Sequence, residues 1–388
     1  VMQTITGIIT GLTTGGTILI GRLIGAKKGH DAASTVGTII VLFSAIALAL
    51  TAVMLFATRG LASLMRAPTA AFGQTVSYIF ICSVGIVFIT GYNAVSGIMR
   101  GLGDSRLPLL FVAIAAIVNI FGDLLLVAVF HMAAAGAAIA TVASQAISMS
   151  LAIGILRRKG LPFEFHRCDI GLEPRMAREL LRLGSPIAMQ DAMTNVSFLV
   201  ITAIINSLGL IQSAAVGVIE KLMGFAMLPP FAFMSAIAAF TAQNMGARQP
   251  ERARKAMYYG MAATLVFGTA VCVFSQFSGA TLVRLFSKDA AVVAAGADYL
   301  RSYSIDCVLV CFVFSLTGFL NGCGKTLFVM AQSLAATFLV RIPVSYFMSK
   351  RPGATMYDIG FAAPAASLLG LTLCLLYMKS GNWRPAAH

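Results

Sequence analysis

Gly97–Asp123, GIMRGLGDSRLPLLFVAIAAIVNIFGD, decides how the chain is read. A basic, glycine-rich turn (Arg100, Gly101, Gly103, Asp104, Arg106) leads into an apolar helix that carries Asn119 and, four residues later, Asp123. That spacing puts both side chains on one helical face. A carboxylate deep in a lipid-spanning helix costs about 2.5–3.5 kcal/mol on insertion scales, so it faces protein or a wet cavity and marks a functional site by default.

The surrounding composition establishes that the helix crosses a membrane. Hydrophobic residues make up 59% of the 388-residue chain, charged residues only 11%, and mean hydropathy is +0.89. Soluble domains carry about 25% charged residues. Charge-free intervals (Val1–Gly21, Ala32–Thr58, Ala67–Met99, Leu222–Ala247, Ala256–Val283) each meet the roughly 20 residues needed to span a bilayer core. The pattern predicts an all-α polytopic membrane protein with eleven spans: about 1–22, 33–57, 71–99, 107–130, 134–156, 184–207, 212–246, 256–278, 292–321, 326–348 and 358–378.

The net charge of +14 reports orientation rather than a nucleic-acid partner. One set of loops holds Arg22, Lys27, Lys28, Arg100, Arg106, Arg157, Arg158, Lys159, Arg167 and Arg248–Lys255, among others. The opposite set holds only Arg59, Arg66, Arg284, Lys288, Lys350 and Arg351. Excess Lys and Arg marks the cytoplasmic side. The seven cysteines fall in spans or cytoplasmic loops, which argues against a disulfide framework.

The chain also repeats itself at a shift of 221 residues. Gly25-Ala26 matches Gly246-Ala247, Tyr78 matches Tyr299, and GIMRGLGDS (Gly97–Ser105) matches GFLNGCGKT (Gly318–Thr326) at all three glycines. Six spans separate equivalent positions, so the halves share one membrane orientation, related by an axis along the membrane normal. The expected division is an N-lobe at 1–156, a cytoplasmic linker at 157–183 and a C-lobe at 184–388. Since Val1 corresponds to Leu222, the shift implies one further helix ahead of Val1, for two lobes of six helices of which eleven are present.

Thr141, in GAAIATVASQ (Gly136–Gln145), returns beside the Asn119/Asp123 helix. A carboxylate, an amide oxygen and a hydroxyl suit a sodium ion or a proton; the alternative is a polar cluster that only holds helices together. Gln190 and Asp191 follow Pro186 in GSPIAMQD, and Asp306 lies inside its span with Asp298 and Arg301 nearer the outer surface. Asp191 and Asp306 either carry protons or attract a cationic substrate, or they pair with Arg301 or Arg341. Arg341-Ile342-Pro343 reads as a charged kink, and Glu220-Lys221 as an interfacial ion pair. Gly324-Lys325-Thr326 lacks the first glycine of a phosphate loop, Phe319 standing in its place. No nucleophile triad, paired catalytic carboxylates or His/Cys metal cluster can be read from the spans, which argues against an enzyme.

Taken together, RGLGDSRLPL (Arg100–Leu109), the NIFGD helix, GAAIATVASQ, GSPIAMQD, AFTAQNMGA (Ala239–Ala247), YLRSYSID (Tyr299–Asp306) and GFLNGCGKT make the chain resemble the multidrug and toxic compound extrusion (MATE) antiporters, the bacterial DinF-like branch in particular. The resemblance implies two six-helix lobes in the bacterial cytoplasmic membrane, acting as a monomer. It also implies export of amphipathic or cationic small molecules in exchange for sodium or protons, with no cofactor and no metal besides sodium at Asp123. By that likeness Asn119, Asp123 and Thr141 match an N-lobe cation site, which in those relatives includes an aspartate of the first helix. Gln190, Asp191, Asp306 and Arg341 are the candidate substrate or second proton site. A lipid flippase of the same superfamily is the alternative; it calls for a cleft rich in Arg and Lys, and only Lys221, Arg301 and Arg341 lie in or near spans.

Overall fold

Lipid offers the backbone no hydrogen-bond partners, so a spanning segment must close its own as a helix. The computed structural model describes residues 2–64 and 69–384, and among them the regular elements are helical. Val1, Arg66 and Ala67, used above in counting charges and apolar intervals, lie outside the described residues. In order the helices are α1 (Met2–Gly25), α2 (Gly29–Leu64), α3 (Thr69–Gly101), α4 (Arg106–Asp123), α5 (Ala133–Lys159), α6 (Pro174–Asn206), α7 (Leu210–Ala226) and α8 (Leu228–Gly246). There follow α9 (Pro250–Arg284), α10 (Ala290–Gly322), α11 (Thr326–Ala335), α12 (Ile342–Lys350), α13 (Met356–Gly360) and α14 (Ala362–Lys379). Ten stretches are long and apolar enough to cross a membrane, and α7 with α8 forms an eleventh, bent by 41°. The chain divides into two compact units, Val1–Ser185 and Pro186–His388.

Several landmarks of the two units recur at the shift of 221 residues. Helices α1, α2 and α3 end at Gly25, begin at Gly29 and end at Gly101; 221 positions on, α8 ends at Gly246, α9 begins at Pro250 and α10 ends at Gly322. Left-handed backbone recurs at the same shift: Lys27 and Arg248 (φ 58° and 57°), Gly103 and Gly324 (91° and 75°), Gly160 and Gly381 (71° and 74°). All six follow helix C-termini, where a left-handed residue satisfies orphan carbonyls. Packing repeats as well. A Cβ at Gly97 would strike Thr13 and one at Gly101 would meet Ile20. In the second unit a Cβ at Gly318 would strike the Met234 carbonyl, and one at Gly322 would lie 2.5 Å from Thr241. These glycines let α3 approach α1, and α10 approach α8, at backbone distance.

Several local features escape the apolar pattern. α4 passes at Asp123 into a π-helical stretch, Leu124–Val129, and α11 into another, Ala336–Arg341, ahead of Pro343. The span read as 212–246 breaks at Met227, before Pro229-Pro230. α9 bends at Ser278 (φ −127°) and continues to Arg284. The segment read as linker is helical from Pro174, because Met176, Leu180 and Leu183 are buried at helical spacing and Gly184 lies against the backbone of Leu12. Glu220 and Lys221 are both exposed and form no ion pair with each other: neighbours on a helix point about 100° apart. The described cysteines are free, Cys311 bonding the carbonyls of Thr264 and Cys307.

Candidate functional site

In the first unit the polar site is built on the α4–α5 contact. A Cβ on Gly122 would lie 2.9 Å from that of Ala140, and the Ser148 hydroxyl donates to the Phe111 carbonyl at 2.7 Å. The two helices therefore touch with little between them, and Asn119 meets Thr141: the amide Nδ2 donates to Thr141 Oγ1 at 3.4 Å. The Thr141 hydroxyl is itself spent on the Ala137 carbonyl, 2.9 Å away. One turn on, Asp123 stands where α4 becomes the π stretch, and its Oδ1 is buried without a hydrogen-bond partner. Tyr78 of α3 lies within electrostatic reach of this carboxylate. A buried carboxylate oxygen without a donor is expensive unless something positive visits it. π-helical turns are uncommon and concentrate at functional sites.

In the second unit the structure brings Gln190, Asp191, Asp306 and Arg341 to the wall of one cavity of about 340 Å³. Gln190, Asp191, Thr194 and Phe198 come from one face of α6, at helical spacing. Tyr303 and Asp306 come from α10, Gln332 from α11, and Thr337 and Arg341 from the π stretch. Asp306 is 5% exposed; Ser367 of α14 hydrogen-bonds its carboxylate, yet its Oδ1 has no partner. Neither do the buried Oε1 atoms of Gln190 and Gln332. Three residues of one cavity wall thus each carry a buried acceptor oxygen without a donor. Among the described residues neither aspartate is in an ion pair; Asp306 reaches neither Arg301 nor Arg341 at salt-bridge distance. The Arg341 guanidinium lies instead over the Phe198 ring, 4.5 Å from its centroid, an attraction worth about 0.5–2 kcal/mol. The outer Asp298 accepts from the Tyr357 backbone N–H at 3.0 Å.

Sequence reasoning did not single out Thr194, Tyr303, Gln332 or Ser367. Thr194 and Tyr303 were within reach, since each lies three residues from an aspartate on the same helix face. Gln332, beside Ser333, and Ser367 lie in otherwise apolar stretches, and only the tertiary fold brings them to Asp306.

A sequence model of the MatE family matches residues 1–125 and 186–347, most of the chain. The chain belongs to the MatE family. Its relatives include a probable multidrug resistance protein, YpnP, of Bacillus subtilis, 26% identical over 385 residues that cover 99% of this chain and 85% of its own. A FAD transporter of Shewanella oneidensis is 27% identical over 293 residues, covering 74% of this chain and 65% of its own. In fold, a multidrug resistance MATE family transporter of the MOP superfamily, solved in an outward-facing conformation, matches with a TM-score of 0.92 at 19% identity, over 98% of this chain and 86% of that one. MatE proteins are transporters, not enzymes, and this chain is a multi-pass membrane protein of that multidrug-efflux family, handling small molecules across the bilayer.

Proposed function

We propose that the chain is a secondary antiporter of the bacterial cytoplasmic membrane, working as a monomer. It exports amphipathic or cationic compounds in exchange for sodium ions or protons by alternating access, and needs no cofactor beyond the coupling ion. The observation that carries this reading is the partnerless Oδ1 of Asp123, beside Asn119 and Thr141 at the start of a π stretch. A sodium ion or a proton at Asp123 removes the cost of the buried charge, with the Asn119 and Thr141 oxygens as neutral ligands for a metal ion. Because occupancy changes the charge at the α4–α5 contact, it biases the conformational equilibrium of the first unit; an ion can shift that equilibrium only by its differential affinity for the two states.

The second cavity takes the drug rather than a second proton. Its wall of apolar and aromatic side chains with two carboxylates suits an amphipathic cation. One guanidinium, already stacked on Phe198, is a poor cradle for a lipid phosphate. The test is ethidium efflux from proteoliposomes under an imposed sodium or proton gradient. Wild-type protein drives efflux, and Asp123→Asn, which keeps the shape and loses the charge, falls to the rate of protein-free liposomes. Gradient-driven efflux surviving in Asp123→Asn removes this mechanism.

A further inference from the structure

A further cavity lies apart from both polar sites. It is a groove of about 1040 Å³ on the first unit, between α2, α3, α5 and the segment after α5. Its walls are apolar, with Val36, Ile40, Phe43 and Leu48 on α2 facing Ile98 of α3 and Ile153 of α5. At one end stand Arg157 and Arg167, both exposed and, among the described residues, without an ion pair; the lining contains no acidic side chain. Phe163 and Phe165 close that end.

This floor is fixed in place. The segment after Gly160 lies so close to α2 that a Cβ on Gly37 would collide with the Asp169 carbonyl. The Thr38 hydroxyl donates to the Gly171 carbonyl (3.3 Å) and accepts from the Glu173 N–H (3.2 Å). The loop charges put this end on the cytoplasmic face. From Val36 to Leu48 the groove follows about 18 Å of helix at 1.5 Å per residue. That is a little over half of the roughly 30 Å hydrocarbon core, the depth of one leaflet.

The other copy of the repeat shows that this place is one to be filled. Val36 and Ile98 correspond to Met257 and Phe319, and there the chain after the left-handed Gly381 drops Trp383 onto Phe319, ring centroids 5.2 Å apart, in a closed apolar cluster. After Gly160 the chain instead runs over α2, and its Leu161, Phe163 and Phe165 line the groove rather than fill it.

We propose that an anionic phospholipid of the cytoplasmic leaflet occupies this groove, an acyl chain along α2 and the phosphate between Arg157 and Arg167. Basic pockets at the cytoplasmic ends of spanning helices recognise anionic headgroups in this way, and guanidinium pairs with phosphate as a fork.

The test uses the full chain in vesicles. With Trp383→Phe removing the single tryptophan, Ile40→Trp places a reporter in the groove. Vesicles of phosphatidylethanolamine receive brominated phosphatidylglycerol or brominated phosphatidylethanolamine, whose bromines quench tryptophan on contact. The expected result is half-maximal quenching at about tenfold lower mole fraction for the anionic lipid, with that preference lost in Arg157→Gln/Arg167→Gln and kept in Arg157→Lys/Arg167→Lys. Equal quenching by the two lipids, or a preference that survives loss of both arginines, overturns the proposal. None of these readings depends on transport, so they stand or fall apart from the antiport mechanism.

Discussion

The two units share turns, helix ends and glycine contacts to the residue, yet their polar sites have nothing in common. Asn119, Asp123 and Thr141 correspond to Val340, Val344 and Ala362; Tyr303, Asp306, Gln332 and Ser367 correspond to Cys82, Gly85, Phe111 and Ala146. Even the π stretch is displaced: it begins at Leu124 in one unit and at Ala336 in the other, nine residues earlier than the shift of 221 would place it. A duplicated scaffold holds its geometry through residues that meet backbone, such as Gly97 and Gly318. The chemistry sits where the copies have diverged, and that divergence separates the work of the two units.

The largest expected effect falls on that difference. Asp123→Asn abolishes gradient-driven efflux, whereas the same change at Asp306 leaves ion coupling in place and alters the dependence of efflux on drug concentration, as transport titrations in proteoliposomes would read. Next come the neutral ligands. Asn119→Ala and Thr141→Ala each remove one contact to a charged guest and raise the ion concentration for half-maximal transport by about tenfold.

Stability gives smaller contrasts between matched corners. Trp383→Ala opens a cavity beside Phe319 and costs about 3–5 kcal/mol in thermal unfolding, while Phe163→Ala at the open groove costs a fraction of that. Gly37→Ala drives a methyl into the Asp169 carbonyl and costs about 1–3 kcal/mol. Its counterpart Tyr258 is 53% exposed, with no segment laid over it among the described residues, and Tyr258→Ala is close to neutral. Smallest is Asp104, whose carboxyl is held below its ordinary range chiefly by the hydrogen bond from Lys159. A lowered carboxylate pKa adds stability above the unfolded value of about 3.9 and loses it as pH falls through the folded value. Asp104→Asn therefore costs no more than about 1 kcal/mol at pH 7, since Lys159 is largely solvated, and nothing at the acid end of a pH series of melting curves.

Much of the fold was legible because lipid leaves few choices: charge-free length gives spans, and glycine spacing gives the repeat. The α4 pair and Thr141 were legible because polar groups in apolar helices stand out. Hidden were features set by tertiary contact or local backbone strain. The break at Met227 before two prolines, the π stretches beside Asp123 and Arg341, and the laying of Asp169 against Gly37 leave no periodic trace. The second cavity was half visible: its two aspartates and Arg341 announce themselves, but their convergence with Gln332 and Ser367 depends on how α6, α10, α11 and α14 pack.

The central claim is that Asp123 takes up and releases a positive charge. Protein adsorbed in vesicles on a solid-supported electrode reports such a charge directly after a jump in sodium concentration or pH, with no drug present. The account predicts a transient current in wild-type protein that persists in Asp306→Asn and vanishes in Asp123→Asn; an undiminished transient in Asp123→Asn would contradict it.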